Sequence, residues 1–579
     1  MPVPSPGERH RLPGRNAAFL AQNVERGYRM QYRNPRTKLE THCVDNQPPP
    51  FEDVNRYTSD RALTEAVRRE GAGFAESEFV ELGARVGSAD VQDLAVQANR
   101  HPPELKSFDR FGRRIDEVEF HPGYHTLMRL GLEAGVSSIA WTAASGGHAA
   151  HAALLYLMTA ADAGVCCPFS MTYASMPALR REPQLAEAWQ SRITAARYDP
   201  ASRPASEKSG VTIGMAMTEK QGGSDVRANS TRAVALSGPG EFELEGHKWF
   251  CSAPMSDAFF TLAQTDAGLS CFFVPRWRPD GTRNAMHIMR LKDKLGDRSN
   301  ASGEIEYHGA WARLVGGEGQ GVRVIIGMVQ CTRLDCVVGS AALMRNSLAA
   351  AVWHCAQRSA FGRPLSKQPA MAKVLADLVL EQEAAMALAF RMARAFDGAD
   401  TDPVAAAVAR VLTPIAKYWI CKRAPGFVYE TMECHGGNGY VEESPMPRYF
   451  RQSPLNSIWE GSGNVIALDA LRAIRRQPAL LDALIAELEP ARRLGSRLDR
   501  VVRDLPRLAR NLAESDARHF CEQAALATQA AILAAHAPSF VAEAFVATRF
   551  GATAGHTYGA FTGTIDSRAL IERAFPAEG

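Results

Sequence analysis

The sequence predicts a mainly α-helical protein with an antiparallel β-domain at its centre and an additional helical domain at its C-terminus. Long windows such as 371–396 carry Ala, Leu and Glu with few breakers, as helices do. Between about Val211 and Leu314, apolar and polar residues alternate and turn residues separate the runs, as in strands and hairpins. Pro478 marks a boundary, and a last helical segment follows it.

Length and composition suit a protein of several structural units. The 579 residues are 46% hydrophobic, which is ample for a sizeable core. A net charge of +3 means that any nucleic-acid surface must be local. The 11 cysteines include no C-x-x-C pair, which favours reduced thiols in the cytoplasm. No signal-peptide region is seen, and the longest apolar run, 524–547, is alanine-rich with polar interruptions, so we expect no membrane span.

The domain order follows from these changes of composition. The predicted units are a basic N-terminal arm (1–40), a helical N-terminal domain (41–210), a middle β-domain (211–320), a helical C-terminal domain (321–477) and an extra helical domain (478–579).

The stretch "MTEKQGGSD", 217–225, follows an apolar run that is fit for a buried strand. Gly222 and Gly223 allow a tight turn and let a ligand approach bare N–H groups. Thr218 and Ser224 add hydroxyls that can donate to an oxygen-rich ligand. The alternative is an ordinary turn with local capping by Ser224 and Asp225.

Five further stretches carry residues suited to chemistry. "GHKWFCSAP" places Phe250 and Ser252 on alternate positions of a strand, and "CTRLDCVVG" places Arg333 in an apolar helical context. "NSIWEGSGN" holds Glu460 between Trp459 and Gly461. The other two stretches are "QRSAFGRPLSKQP", with Arg358, Phe361 and Gln368, and "MECHGGNGY", with Gly436 and Gly437.

In these six stretches, and in their order, the sequence resembles the acyl-CoA dehydrogenases from Val211 to Arg475. The resemblance implies a helical domain, a β-domain and a second helical domain with FAD between them, in a homotetramer. From about residue 40 onward the chain is most similar to a branch of the family associated with double-stranded DNA. "HPPEL" (101–105), "LKDKLGDRSNAS" and the C-terminal segment carry that likeness. It implies protection or repair of DNA in alkylation stress, joined to a weak dehydrogenase site.

The resemblance assigns residues to the flavin. Thr218 would hydrogen-bond the flavin edge, Ser224 the pyrophosphate, and Phe250 would pack on the isoalloxazine. Ser252 stands where the family usually has threonine, and either hydroxyl can donate near the hydride-accepting nitrogen. The other residues implied to line this part of the cofactor are Met215, Met217, Gly222, Gly223, Trp459, Gly461, Ser462 and Asn464.

The adenosine diphosphate part of FAD is assigned to a second group. Arg358 and Phe361 would hold it from a neighbouring subunit, with Gln368, Gly436 and Gly437 at the same end. Cofactor binding would then depend on oligomerisation.

Glu460 is the predicted catalytic base. A carboxylate that is partly desolvated beside Trp459 and Gly461 has a raised pKa and suits removal of an α-proton. The alternative is a helix-capping glutamate. Arg333 matches a family position near the CoA end, and its alternative is a buried ion pair with Asp335 or another carboxylate.

One residue departs from the family's pattern, and one pair of histidines raises the separate question of a metal site. Lys220 replaces the family's usual proline after Thr-Glu, which changes the stiffness and charge of the loop. His121 and His125 flank Pro122 and Gly123, which disrupt a helical i,i+4 pair, so we expect no metal site.

An arginine stripe marks the extra C-terminal domain. Arginines and apolar residues both recur every three or four residues, the apolar ones one or two positions later, so the sequence predicts a helix with the arginines about 100° from its apolar stripe. Arginine suits phosphate contacts, and the resemblance also points to DNA. The alternative is a solvated face. The stripe consists of Arg493, Arg497, Arg500, Arg503, Arg507 and Arg510.

Two other functions compete with a DNA-associated flavoprotein. One is a metabolic acyl-CoA dehydrogenase whose tail serves oligomerisation. The other is a nitroalkane-oxidase-like enzyme, for which aspartate would suit the base position better than Glu460.

Overall fold

The computed structural model describes residues 37–511, 513–551 and 555–576. Most of the predicted basic arm, residues 1–36, lies outside the described part. Within residues 37–47, Lys38 and Cys43 form an isolated β-bridge. Pro48 begins the second compact unit, which holds all the helices and strands below.

The N-terminal part of this unit is helical, with one hairpin. Its elements are α1 (Arg61–Arg69), α2 (Glu76–Gly87), α3 (Ala89–Arg100), β1 (Glu104–Phe108), β2 (Arg114–Glu119), α4 (Pro122–Glu133), α5 (Ile139–Thr142), α6 (Gly147–Ala161), α7 (Ala163–Ala174), α8 (Met176–Leu179) and α9 (Pro183–Ile193). Asp60 caps α1 by accepting a hydrogen bond from Leu63 N, and Pro122 occupies the first turn of α4, where no N–H is needed.

The middle part forms one seven-stranded sheet. Its strands are β3 (Ile213–Ala216), β4 (Arg232–Ala235), β5 (Glu241–Ser252), β6 (Ala258–Thr265), β7 (Gly268–Pro275), β8 (Met286–Leu291) and β9 (Ser302–Val315). Pairings run β6–β4–β5–β9–β7 and return to β6, so the sheet curls into a barrel-like ring. Most pairings in this sheet are antiparallel, as predicted. β6 pairs in parallel with β3 and β4, because the chain crosses the ring between them.

The C-terminal part returns to helices. Its elements are α10 (Gly321–Gln357), β10 (Ser359–Ala360), β11 (Arg363–Pro364), α11 (Pro369–Gly398), α12 (Pro403–Glu433), α13 (Met446–Gln452), α14 (Gly463–Arg476), α15 (Ala479–Glu487), α16 (Ser496–Asn511), α17 (Ala517–His536), α18 (Ser539–Arg549) and α19 (Ser567–Ala574). By length and composition alone, α10 and α12 could cross a membrane, and most of their apolar length is buried inside the protein. The predicted order of helices, β-domain and helices is confirmed.

The extra C-terminal helices pack on the dehydrogenase helices through buried charge as well as apolar contact. Residues of α17 and α18 belong to the same hydrophobic cluster as α11 and α12. Arg549 of α18 donates to Asp377 at 2.5 Å and to Glu381 at 2.9 Å; the two carboxylates are buried and Arg549 is partly buried. Breaking such a pair leaves uncompensated buried charge, so this contact fixes the extra segment to α11.

Candidate functional site

The glycine loop that follows β3 is built around a buried carboxylate. Glu219 accepts hydrogen bonds from the backbone and hydroxyl groups of Ser230 and Thr231 and from Lys248 Nζ at 2.8 Å. Burial alone would raise the pKa of Glu219, but Lys248 and these hydrogen bonds hold it well below its usual range. Burial lowers the pKa of Lys248 to about 8. The loop is therefore fixed to β5 by an ion pair that sequence analysis missed.

The loop turns as its sequence predicts and leaves its tip open. Gly222 N donates to Glu219 O, and Gly222 has a φ of 138°, a conformation that favours glycine. Gly222, Gly223 and Ser224 are exposed, while Thr218 O accepts a hydrogen bond from Trp249 N of β5 at 2.8 Å. The stretch is thus a turn whose exposed tip can also bind a ligand, so the two interpretations are compatible. Lys220, the departure from the family, donates its N–H to His247 Nε2.

Beside this loop, β5 presents an exposed aromatic ring. The Phe250 side chain is 54% exposed, whereas its neighbour Cys251 is buried. The Ser252 hydroxyl lies 3.4 Å from the Ser302 hydroxyl. Both Ser252 and Glu460 interact with the Cys167 thiol, whose pKa is raised by burial. An exposed ring beside open glycines and hydroxyls is a suitable platform for a planar ligand.

Glu460 lies in the loop that leads into α14. Its side chain is partly buried, and its Oε2 accepts a hydrogen bond from Thr332 Oγ1 at 2.8 Å. Burial raises the pKa of Glu460, while Thr332, Arg333 and Lys417 act in the opposite direction. Glu460 is not a helix cap, because Ser462 occupies the N-cap position of α14.

The same loop brings other predicted residues toward the glycine loop. Met217 and Trp459 pack against the hydrophobic cluster that contains Met215. Gly461 has a φ of 102°, and a Cβ there would lie 2.9 Å from Ile466. Asn464 Oδ1 accepts a hydrogen bond from Arg518 Nε of α17.

Arg333 is engaged by the protein itself. Its Nε donates to Glu460 O at 3.0 Å, and its NH1 donates to Asp469 at 2.8 Å. Asp469 also binds Arg410. Of the two interpretations of Arg333, this geometry matches the buried ion pair, with Asp469 in place of Asp335. Asp335 instead contacts His151 and Ser170.

The residues assigned to adenosine diphosphate lie in a second group. Phe361 and Gly362 form the tip of the β10–β11 hairpin with φ values of 50° and 78°, and Phe361 is 97% exposed. Gln368 braces the hairpin by donating to Ala360 O. Arg358 follows the C-terminus of α10, where the His354 ring lies 4.7 Å from that of His435. His435 immediately precedes Gly436 and Gly437, which are both exposed.

The arginine stripe lies on α16, but its relation to the apolar face differs from the prediction. Leu498, Val502, Leu505 and Ala509 are buried, while Val501 and Leu508 are only partly buried. At 3.6 residues per turn, the arginines centre on the side opposite this buried face. The predicted offset of 100° was wrong, because packing against α17 selects the buried residues. The exposed arginines of α16 are Arg497, Arg500, Arg503, Arg507 and Arg510; the side chain of Arg493 lies outside the described residues.

Few carboxylates neutralise this face. Arg507 lies 4.0 Å from Asp504, and Arg497 and Arg503 donate to the backbone carbonyls of Gly551 and Asp499. In the part of the chain that the structure describes, Arg500 and Arg510 form no salt bridge. A groove of about 530 Å³ separates α16 from α17. Its charged lining consists of Arg497, Arg500 and Arg507 together with the carboxylates Asp504 and Asp516.

The decisive contacts that sequence analysis missed are those of Glu219, Lys248, Thr332 and Lys417. Lys417 is a single charge in the apolar helical run "TPIAKYWIC", which is a signal for a buried charge with a specific partner. The partners themselves carry no local signal, since they come from distant parts of the chain.

Comparison with known proteins matches the chain in three parts. Residues 46–200 match the family described as the N-terminal domain of the adaptive response protein AidB. Residues 214–310 match the acyl-CoA dehydrogenase middle domain, and residues 319–474 match the acyl-CoA dehydrogenase C-terminal domain.

Individual relatives agree with this division. The chain is 47% identical over 487 residues to AidB of Escherichia coli, a protein named as an acyl-CoA dehydrogenase, covering 84% of this chain and 90% of the relative. It is 30% identical to acyl-CoA dehydrogenase family member 11 of Caenorhabditis elegans, over 75% of this chain and 73% of the relative. The crystal structure of C. elegans ACDH-11 in complex with C11-CoA superposes with a TM-score of 0.80 at 26% identity, covering 93% of this chain and 97% of that structure.

Proposed function

Since the chain belongs to the acyl-CoA dehydrogenase family and is similar to AidB, we propose that it oxidises acyl-CoA thioesters weakly and binds double-stranded DNA. The protein is an FAD-dependent oxidoreductase. The proposal concerns what that chemistry acts on, which residues carry it, and what the extra helices bind. It includes protection or repair of DNA in alkylation stress, the role implied by the resemblance to this branch of the family.

The environment of Glu460 is the observation that carries the enzymatic part. Oxidation of an acyl-CoA requires a base for the α-proton, and FAD, when bound, supplies the acceptor for the hydride from the β-carbon. Glu460 has the raised pKa and the partial burial that suit this base. Thr332 holds one carboxylate oxygen and leaves the other available to the α-proton.

The residues near β3 and β5 fit the flavin end of FAD. Phe250 provides an exposed ring for the isoalloxazine, Ser252 provides a hydroxyl two residues further along β5, and Thr218, whose carbonyl accepts from Trp249 N of β5, provides a second hydroxyl. Gly222 and Gly223 have no side chains to block a pyrophosphate, and Ser224 is exposed beside them. The chemistry of these donors suits a ligand that is planar at one end and anionic at the other.

The exposed hairpin supports a homotetramer in which each copy completes its neighbour's cofactor site. A Phe side chain that is 97% exposed at a rigid tip is costly in a monomer, and contact with a second copy would bury it. Arg358 lies at the base of the same hairpin, where it can reach a phosphate held by that copy.

The exposed arginine face of α16 supports the DNA part. Arg500 and Arg507 lie along one side of the groove, and Arg503 and Arg510 extend the face along the helix. Phosphates of a duplex are recognised by such arrays of arginine, independently of base sequence. Arg497 also donates to Gly551 O, whereas Arg500, Arg503, Arg507 and Arg510 project from the side of α16 opposite its buried residues.

Acyl-CoA reduction of the bound flavin tests the enzymatic proposal. The purified protein is mixed anaerobically with short-, medium- and long-chain acyl-CoAs, including the C11-CoA bound by the nematode ACDH-11. We expect the flavin absorbance to bleach slowly with at least one of them. Bound flavin that no acyl-CoA bleaches would contradict the proposed substrate class.

A metabolic acyl-CoA dehydrogenase without a role on DNA is the second candidate. The buried pairs of Arg549 with Asp377 and Glu381 favour it, because they give the extra segment a structural role that needs no ligand. Fast turnover with one acyl-CoA, together with no retention of duplex DNA at physiological salt, would select this function.

A further inference from the structure

Three consecutive carbonyl groups around the predicted base are held by two buried cations. Lys417 Nζ donates to Trp459 O at 2.7 Å and to Gly461 O at 2.5 Å. Arg333 Nε donates to the carbonyl between them, that of Glu460, at 3.0 Å. We infer that Lys417 is a positioning residue for the acyl-CoA reaction, which fixes the backbone on both sides of Glu460. The inference rests on the proposed role of Glu460.

The ammonium of Lys417 is buried, and its contacts are with the Glu460 loop. The residue is 1% exposed in the middle of α12, between Ala416 and Tyr418. Among the described residues it forms no salt bridge, and its hydrogen-bond acceptors are the two carbonyls. Burying an ammonium is costly unless its hydrogens find acceptors. Here the acceptors belong to the loop that carries the base.

The loop needs such support because its backbone is strained. Glu460 has a φ of 58° and Gly461 has a φ of 102°, so two successive residues adopt left-handed conformations. A residue with a side chain is disfavoured there, and surrounding contacts must stabilise it. The sharp turn directs the flanking carbonyls toward Lys417 and the Glu460 side chain toward Thr332. Removing the ammonium should therefore release the turn and move the carboxylate.

Lys417 also acts on the charge of Glu460. Its ammonium favours the ionised carboxylate against burial, so a neutral replacement should raise the pKa of Glu460 further. The polar and titratable groups around Glu460 lie on four helices. They are Thr332, Arg333 and Cys336 of α10, Cys167 of α7, Lys417 of α12, and Asp469 of α14, which is bound to Arg333.

The experiment measures proton removal separately from oxidation. Flavin-loaded protein is incubated with C11-CoA in deuterated buffer, and exchange of the α-hydrogens is followed by mass spectrometry over a range of pH. Because a displacement of about 1 Å in a catalytic group costs roughly 100-fold in rate, K417M should exchange on the order of 100-fold more slowly than wild type. The acid limb of its pH–rate profile, where exchange is lost as Glu460 is protonated, should move to higher pH because the pKa of Glu460 is raised. K417Q, which keeps an N–H donor, should show a smaller decrease.

Two variants separate the possible failures. K106M removes an exposed ammonium on β1 and should behave as wild type. E460Q should abolish exchange; if it does not, the proposed base is wrong. If E460Q abolishes exchange while K417M keeps the wild-type rate and acid limb, the role of Lys417 alone is overturned.

A crystal structure of flavin-loaded K417M gives a readout that needs no turnover. Glu460 should leave its left-handed conformation, and an unmoved loop would overturn the inference. If K417M does not yield folded protein, K417Q takes its place in both measurements. If K417Q then shows the wild-type exchange rate, the wild-type acid limb and the wild-type loop geometry, the inference about Lys417 is overturned.

Discussion

The Glu460 loop and the α16 face both depend on cationic side chains, but they use them in opposite ways. Around Glu460, Arg333 and Lys417 are buried, and each hydrogen-bonds the loop backbone. On α16, the arginines are exposed and lie opposite the buried side of their helix. Buried cations fix a structure at a high cost if a partner is removed, whereas exposed cations remain available to an external anion. The comparison therefore predicts different effects when each kind of cation is removed.

The largest effect should come from the base. E460Q keeps the shape of the side chain but removes its charge, so flavin should stay bound while its reduction by C11-CoA falls by roughly 100- to 10,000-fold. Stopped-flow absorbance measures this rate, and E443Q, an exposed glutamate changed in the same way, is the control. A wild-type rate for E460Q would remove Glu460 from the chemistry.

The buried pair beneath the extra helices should show the next largest effect. R549A leaves Asp377 and Glu381 buried without this partner, so the free energy of unfolding should fall by about 3 kcal/mol. R568A breaks an exposed pair with Glu572, which water and salt screen, so its decrease should be much smaller. Urea unfolding compares the two variants. Equal decreases would mean that the Arg549 pair does not hold α18 to α11.

The arginine face should respond in binding and not in stability. In R497A/R500A/R507A, affinity for a labelled duplex should fall at every sequence alike. The slope of log affinity against log salt should flatten by about 0.9 for each phosphate that the variant no longer neutralises. Flavin content should not change, and the free energy of unfolding should fall by no more than about 1 kcal/mol, the net value of the hydrogen bond from Arg497 to Gly551 O. R61A/R85A/R568A removes three exposed arginines elsewhere and serves as the control; equal salt slopes for both triple variants would make the α16 face a solvated surface.

The smallest effect should be at the glycine loop. T218A and S224A each remove one hydroxyl assigned to FAD, so each should weaken flavin retention by about 1 kcal/mol, the net value of one hydrogen bond. Flavin released during dialysis measures this effect, with S206A as an exposed control. Retention equal to that of wild type in both variants would show that these hydroxyls do not contact the cofactor.

Sequence predicted the features that depend on neighbouring residues. The glycine loop, the strand that carries Phe250 and Ser252, and the arginine-bearing helix all carry their signal within one short stretch. The order of helical and β-domains was likewise readable from changes in periodicity. Such features follow from local geometry, so a single stretch is sufficient to predict them.

The contacts that fix these features could not be predicted in the same way. Glu219 meets Lys248 across 29 residues, and Thr332 meets Glu460 across 128. Packing against α17 decides which apolar residues of α16 are buried. The buried face is therefore rotated about the helix axis relative to the predicted apolar stripe. The parallel pairing of β3 with β6 likewise joins strands that two other strands separate along the chain. Each of these outcomes requires the tertiary fold.

The central claim is that one chain carries two separable sites, a flavin-dependent acyl-CoA site at Glu460 and a DNA-binding face on α16. One titration tests it: labelled duplex and C11-CoA are added anaerobically to the same flavin-loaded protein at physiological salt, while fluorescence anisotropy and flavin absorbance are recorded together. We predict that the duplex is retained and that the flavin bleaches. Bleaching without retention of the duplex would contradict the claim and leave a metabolic acyl-CoA dehydrogenase.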